Sequence, residues 1–149
     1  MEKKRPFVEL GRKIISGDHP PLPVGQTIGF RIVEIAPGEA AFEMEAVASR
    51  HANPMGTLHG GILCDLADGA MGMAWASELE EGESFTTLEL KINFLKPVWN
   101  DRLRAEARVL KRGKSVGLAE CQVRDEEARP RRPRDEHSHD TPRRRGQRG

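Results

Sequence analysis

The chain has few cysteines and no paired cysteine motif, since Cys64 and Cys121 are the only two among its 149 residues. It also has no run of about 18 apolar residues, the length that a membrane-spanning helix needs. The charged start Met1–Pro6 is followed by no apolar stretch of the kind found in secretory signals. These absences argue against a disulfide-stabilised secreted protein and against a membrane protein. We expect a cytoplasmic protein with reduced thiols.

Apolar residues are scarce in the last part of the chain. Residues 126–149 carry eight Arg, five acidic residues and three Pro, and Ala128 is their single hydrophobic residue. Such a stretch buries too little apolar surface to offset the entropy cost of ordering it. We therefore predict one folded domain over residues 1–127 and a disordered Arg/Pro-rich tail over 128–149. No aromatic residues alternate with the basic residues of the tail, so we expect no nucleic-acid binding.

Hydrophobic periodicity predicts an α+β fold. Apolar residues at helical spacing indicate a first helix that ends at Gly17, followed by an extended linker over 19–23. A long apolar helix is predicted to begin after His59 and to end near Glu80. Alternating residues predict five strands, at 27–35, 40–46, 85–95, 102–110 and 115–124. One apolar helix with strands in a meander implies an antiparallel sheet wrapped around that helix.

The most informative segment is NPMGTLHGG, residues 53–61, with the helix that follows it. From Ile62 to Ala76 the only charges are Asp65 and Asp68, and apolar residues occupy every face, as in a helix buried in a core. A carboxylate there is costly to keep ionised without a partner or a ligand. The sequence therefore indicates either a structurally neutralised acid or a chemical role.

The Gly60-Gly61 pair favours chemistry. Glycines at a helix start leave the backbone bare, and first-turn N–H groups have no partner within the helix. With the helix dipole, these donors are suited to polarise a carbonyl oxygen and to stabilise the charge that develops on it. The alternative is a pair that only permits a tight turn. His59 before the pair and an acid after it favour the functional interpretation.

Gly60 and Asp68 are too far apart to act together within one chain. Eight residues of helix separate them, which at ~1.5 Å per residue is roughly 12 Å. If both are catalytic, Asp68 of one subunit must meet Gly60 of another. The sequence therefore predicts an active site shared across a dimer.

The motif Asn53-x-x-Gly56-x-x-His59-Gly60-Gly61 with Leu66-Ala67-Asp68 resembles that of hotdog-fold acyl-CoA thioesterases of the phenylacetate-pathway (PaaI-like) type. The similarity continues through 86–97 and the turn at 110–114. It implies a hotdog fold, an acyl-CoA substrate, and neither cofactor nor metal. It also implies a homodimer, or a homotetramer built as a dimer of dimers.

The resemblance assigns roles to individual residues. Asp68 stands where the family carries its acid, which distinguishes it from Asp65, and it acts either as general base or as nucleophile. Thr87 matches a Ser or Thr that helps to hold the attacking water, whereas Thr86 must point to the other sheet face. An ordinary strand former is the alternative for Thr87.

The loop before the helix contributes two further candidates. Asn53 is a candidate amide donor to the carbonyl oxygen, and an Asx turn is the equally favoured alternative. His59 either hydrogen-bonds the loop or orients the substrate. His51 and His59 lack a third ligand, so we expect no metal site.

A basic turn offers a place for CoA. Arg112, Gly113 and Lys114 form either a solvated hairpin end or a site for the CoA phosphates, for which Arg and Lys are suited. Gly61 is a further candidate for substrate binding.

The chain departs from the family where the final strand should begin. Related proteins finish with a strand inside the sheet, but here that position holds the Arg/Pro-rich tail, and a Pro-rich stretch does not supply a central strand. We interpret the tail as the product of a shifted reading frame or of a replaced natural end, and we expect the final strand to be missing.

Three functions are compatible with these features. The leading one is an acyl-CoA thioesterase. The alternatives are a hotdog hydroxyacyl dehydratase, which the motif fits less well, and a non-catalytic acyl-CoA-binding or sensing module. The acyl group is not readable, because Met71, Met73 and Trp75 fit a core equally well.

Overall fold

A computed structural model describes residues 3–127, and the predicted disordered tail lies outside these described residues. Within that range the chain forms four helices and four strands. Their order is α1 (Pro6–Ser16), α2 (Pro23–Ile28), β1 (Phe30–Ala36), β2 (Glu39–Ala46), α3 (Ala48–His51), α4 (Gly60–Ala76), β3 (Asp101–Lys111) and β4 (Leu118–Arg124). No helix in this range is long and apolar enough to cross a membrane.

The four strands form one antiparallel sheet in the order β1-β2-β3-β4. Met44 pairs with Phe30 on one side and with Leu103 on the other, which places all three on the face that packs against α4. The outer edge of β4 has no neighbouring strand among residues 3–127. The predicted α+β architecture of a long helix on an antiparallel sheet is confirmed.

The core lies between α4 and the concave face of the sheet. Helix residues Leu66, Ala70 and Ala74 are fully buried there. Gly69 lets the helix approach closely, because a Cβ at this position would lie 3.3 Å from ring atoms of both Phe30 and Phe42. Small residues on this face therefore set the short distance between helix and sheet.

The strand predicted at 85–95 is wrong. Residues 84–95, which we call the strap, belong to no helix or strand and pair with no strand among the described residues. They run along the outward face of α4, with Phe85 beside Gly72 and Phe94 beside Gly60. The alternating pattern predicted a strand, but a ladder also requires an adjacent free strand edge, and the strap lies on a helix.

Several predicted boundaries also shift. Residues 23–28 form helix α2, with Pro at its start and Gly29 (φ 102°) at its end, so β1 begins at Phe30 and not at Thr27. Helix α4 ends at Ala76, before the predicted Glu80. Ser77 closes it by donating to the Ala74 carbonyl at 2.6 Å and accepting from the Gly38 N–H at 2.8 Å. The first helix and its end at Gly17 are confirmed.

The expectation that α4 is buried on all sides is wrong for the single chain. Its inward face is buried, but Gly61, Asp65 and Asp68 are exposed. The sheet covers only one side of the helix, and the strap contacts the opposite side at a few points. Both helix carboxylates are therefore accessible to water or to another molecule.

Candidate active site

The loop that leads into α4 is held by Asn53. Its Oδ1 accepts hydrogen bonds from the N–H of Met55 at 2.9 Å and of Thr57 at 3.2 Å, and its Nδ2 donates to Thr57 Oγ1 at 2.9 Å. This is the Asx turn that stood as the alternative for this residue. The Asn53 amide is engaged within its own loop, and Asn53 positions the start of α4.

His59 caps α4 at its N-terminus. Its Nδ1 accepts a hydrogen bond from the Gly61 N–H at 3.0 Å, and its carbonyl accepts one from the Ile62 N–H at 3.0 Å. The Gly60 N–H donates no hydrogen bond to residues 3–127. The capping histidine therefore leaves Gly60 as an open donor at the positive end of the helix dipole.

Phe94 covers Gly60 from the strap. A Cβ at Gly60 would lie 2.9 Å from Cζ of Phe94, so only glycine permits this approach. The ring remains 56% exposed. An apolar, partly solvated ring therefore stands beside the one open donor of the helix start, a contact that the sequence pattern did not indicate.

The strap brings Thr87 to Asp68. Thr87 Oγ1 donates a hydrogen bond of 3.0 Å to Asp68 Oδ1. Asp65 lies one turn earlier on α4 and is also exposed. The structure thus joins two of the residues that the sequence singled out, although 19 positions separate them.

The two halves of the predicted site lie apart within one chain. Gly60 is the first residue of α4 and Asp68 is in its middle. The helical rise gives roughly 12 Å between them. The single chain therefore does not bring both groups to one thioester carbon.

The basic turn lies at the other end of α4. Arg112 contacts the carbonyl of Glu78, and its Nη2 lies 2.7 Å from the Glu83 carboxylate. A hydrogen bond from the Glu80 N–H, and then the Arg112 guanidinium, lower the pKa of Glu83. Within one chain the turn at 112–114 is thus far from Gly60, and Arg112 joins that turn to the end of the helix.

A groove lies on the outer face of the sheet, and none of these residues lines it. Its volume is about 590 Å³, and Glu34, Ala41, Glu106 and Arg108 are among its lining residues. Arg108 pairs there with Glu120 at 2.6 Å. No residue of α4 lines the groove, and its Arg108 and Glu120 pair with each other, so the geometry of Asp68 and Gly60 defines the candidate site better than this groove does. Among residues 3–127, no three His, Cys, Asp or Glu side chains converge as a metal site.

The fold and the helix motif define a hotdog enzyme, and comparisons with known proteins give its family. Residues 55–130 match the thioesterase superfamily, and the chain belongs to this family. It is 33% identical to the 1,4-dihydroxy-2-naphthoyl-CoA hydrolase of Listeria monocytogenes, covering 68% of this chain and 81% of that enzyme. It is 33% identical to human acyl-coenzyme A thioesterase 13, covering 58% of this chain and 61% of that protein.

A solved structure agrees with this family. The crystal structure of a phenylacetic acid degradation-related protein from Ralstonia eutropha JMP134 superposes with a TM-score of 0.69 at 28% identity, covering 78% of this chain and 89% of that one. The predictions of a hotdog fold, of the phenylacetate-pathway type and of a thioester hydrolase are confirmed.

Proposed function

We propose that this thioesterase hydrolyses acyl-CoA to a free acid and CoA at a site shared between two copies of the chain. The hydrogen bond between Thr87 and Asp68 carries the proposal, because it presents an oriented, exposed carboxylate on the helix that also bears the open Gly60 donor. The names of the two similar proteins reported above, a CoA-thioester hydrolase and an acyl-coenzyme A thioesterase, also point to a CoA thioester as the substrate.

The chemistry follows from these groups. The thioester oxygen accepts a hydrogen bond from the Gly60 N–H, and the helix dipole adds to the polarisation of the carbonyl. A water molecule held by Thr87 and Asp68 of the partner copy attacks the carbonyl carbon. Its proton passes to the Asp68 carboxylate. The C–S bond then breaks, and that proton passes to the CoA thiolate.

Attack by Asp68 itself is the second route. It forms an acyl anhydride with Asp68 and releases CoA, and water then hydrolyses the anhydride. A single turnover in ¹⁸O-labelled water tests the second route. Label that enters the Asp68 carboxylate supports an anhydride that water attacks at the Asp68 carbonyl. Label found only in the product acid excludes that attack and is the result that the general base predicts.

Loop and turn residues have supporting roles in the proposal. Asn53 and His59 hold the start of α4 in place and so present Gly60. The 17 residues of α4 make it about 25 Å long. The turn at 112–114 lies near its C-terminal end, and Gly60 and Gly61 lie at its N-terminal end. If the α4 helices of two copies run antiparallel, the turn of one copy lies near Gly60 and Gly61 of the other. Lys114 and Gly113 then suit the CoA phosphates, with Arg112 bound to the helix end.

Mixed dimers test the shared site. Asp68→Ala and Asn53→Ala variants, each inactive alone, are unfolded and refolded together. Activity recovered to about a quarter of wild type supports a site built from two chains, because random pairing gives one intact site in half of the dimers. Mixed dimers that form without activity contradict it.

CoA release from an acyl-CoA panel is the primary assay, and binding without release by folded wild type favours the non-catalytic module. Cytoplasmic location and the choice between dimer and tetramer stay predictions.

A further inference from the structure

The strap follows one ridge of α4. It contacts the helix at Gly60, Asp68 and Gly72, which are spaced by multiples of four and so lie in one row. Ion pairs fix the residues at both of its ends. Glu83 pairs with Arg112 at 2.7 Å, and Lys96 Nζ lies 2.5 Å from Asp125 Oδ2.

Between these anchors the strap has no strand partner among residues 3–127. Its position on the helix therefore depends on side-chain contacts. At its Gly60 end this contact is the ring of Phe94, which is both exposed and in contact with bare backbone. Movement of this ring breaks no ladder hydrogen bond.

The location of the ring has a consequence for any ligand of Gly60. An oxygen that accepts from the Gly60 N–H lies about 2.7–3.1 Å from the nitrogen. The ring tip meets the same glycine. A bound thioester therefore places the atoms next to its carbonyl against Phe94 or displaces the ring.

We propose that Phe94 is the specificity-determining residue for the acyl group, which rests on the proposed thioesterase function. Without substrate the ring rests on Gly60. With substrate the ring leaves this position and packs against the apolar part of the acyl group. The stabilisation from apolar contact grows with the area removed from water. An acyl group of several carbons therefore replaces the contact that the Phe94 ring loses at Gly60, whereas an acetyl group is too small to do so. The substrate class is an acyl-CoA with an apolar chain or ring.

The test compares acetyl-CoA, hexanoyl-CoA and benzoyl-CoA as substrates of the full chain. For Phe94→Ala we expect the ratio of kcat/KM for hexanoyl-CoA over acetyl-CoA to fall about tenfold, the scale of a few apolar groups lost from a pocket. Phe94→Leu retains an apolar side chain and keeps most of the ratio, whereas Phe94→Gln, which loses the apolar ring, replaces Phe94→Ala if that variant fails to fold. Leu88→Ala is the matched control, because Leu88 is an apolar strap residue that is 75% exposed.

The outcomes separate the two proposals. A wild type that releases CoA, with a ratio that Phe94→Ala (or Phe94→Gln in its place) leaves unchanged, overturns the role of Phe94 alone. A folded wild type that releases CoA from none of the substrates overturns the thioesterase proposal and this inference with it. An NMR measurement gives a readout independent of activity: the ring shifts the Gly60 amide resonance of the unliganded protein, and an identical resonance in Phe94→Leu contradicts the resting contact.

Discussion

Thr87 Oγ1 donates to Asp68 Oδ1 at 3.0 Å, although the two residues belong to a strap and a helix that run in opposite directions. A carboxylate accepts hydrogen bonds at both of its oxygens. Thr87 holds one oxygen of Asp68, and Asp68 is exposed on α4, so its carboxylate is also accessible to water. This hydrogen bond is the basis for the predictions on Asp68 and Thr87.

Replacing Asp68 removes the base or nucleophile. We expect Asp68→Asn to lower kcat by about 10²–10⁴-fold, the usual contribution of a positioned general base, with little change in KM. Steady-state kinetics with hexanoyl-CoA measure both constants. Asp65→Asn is the control, since Asp65 is equally exposed on the same helix. A folded Asp65→Asn variant that is the more damaged of the two would show that the acid is assigned wrongly.

Removing the hydroxyl of Thr87 leaves Asp68 without its oriented partner. We expect Thr87→Val to lower kcat by about 10- to 100-fold, the value of one hydrogen bond to a charged group. Thr87→Ser keeps the donor and should restore most of the rate. Thr86→Val tests the neighbour, for which no hydrogen bond to the site occurs among the described residues. Equal losses in Thr86→Val and Thr87→Val would argue for a structural effect on the strap.

Gly117 allows Trp75 to pack on the β3–β4 hairpin. A Cβ at Gly117 would lie 1.9 Å from Cη2 of Trp75, so Gly117→Ala must displace the indole. We expect the free energy of unfolding in urea to fall by about 1–3 kcal/mol. Gly72→Ala is the matched control, because its nearest neighbour would be Phe85 Cζ at 3.7 Å, an ordinary contact. This control should gain up to about 1 kcal/mol from helix propensity. Equal effects of both variants would mean that Trp75 is not packed on Gly117.

Cys121 should be a poorly reactive thiol. Burial, and then the charge of Glu106, raise its pKa to about 12. In a Cys64→Ser background at pH 8, we expect iodoacetamide to modify Cys121 at least about 100-fold more slowly in the folded protein than in urea, because reaction requires the thiolate. The neutral thiol also stabilises the fold below the ordinary thiol pKa, and this contribution falls as the pH rises toward 12. Equal alkylation rates in both states would contradict the burial of Cys121.

Much of the fold could be predicted because its signals are local. Apolar spacing and a glycine at the end predicted α1, and strict alternation predicted β2 and β3 to within a residue or two. Pro23 and Gly29 are also local signals, for a short helix, but the alternation of Ile28 with Phe30 led to a strand prediction there. Two competing local patterns overlapped at this point, and the packing of Phe30 in the core decided where the strand began.

The candidate site was predicted in part, and the loop shows why. The residues of the HGG motif and Asp68 were identified from sequence, but whether Asn53 donates to a substrate or to Thr57 depends on a loop conformation that composition does not determine. The same holds for Arg112, whose guanidinium binds groups near the end of α4 that lie 29 to 34 residues away in the chain.

The sequence by itself determined the long apolar helix, the glycines and histidine at its start and the acid in its middle. Only the tertiary structure decided that residues 84–95 lie on α4, with Thr87 on Asp68 and Phe94 on Gly60. The physical reason is that alternation does not report what covers a segment: Phe85, Thr87 and Phe94 contact the helix, whereas Leu88 is 75% exposed. Which surface covers the segment depends on contacts between residues that are far apart in the chain.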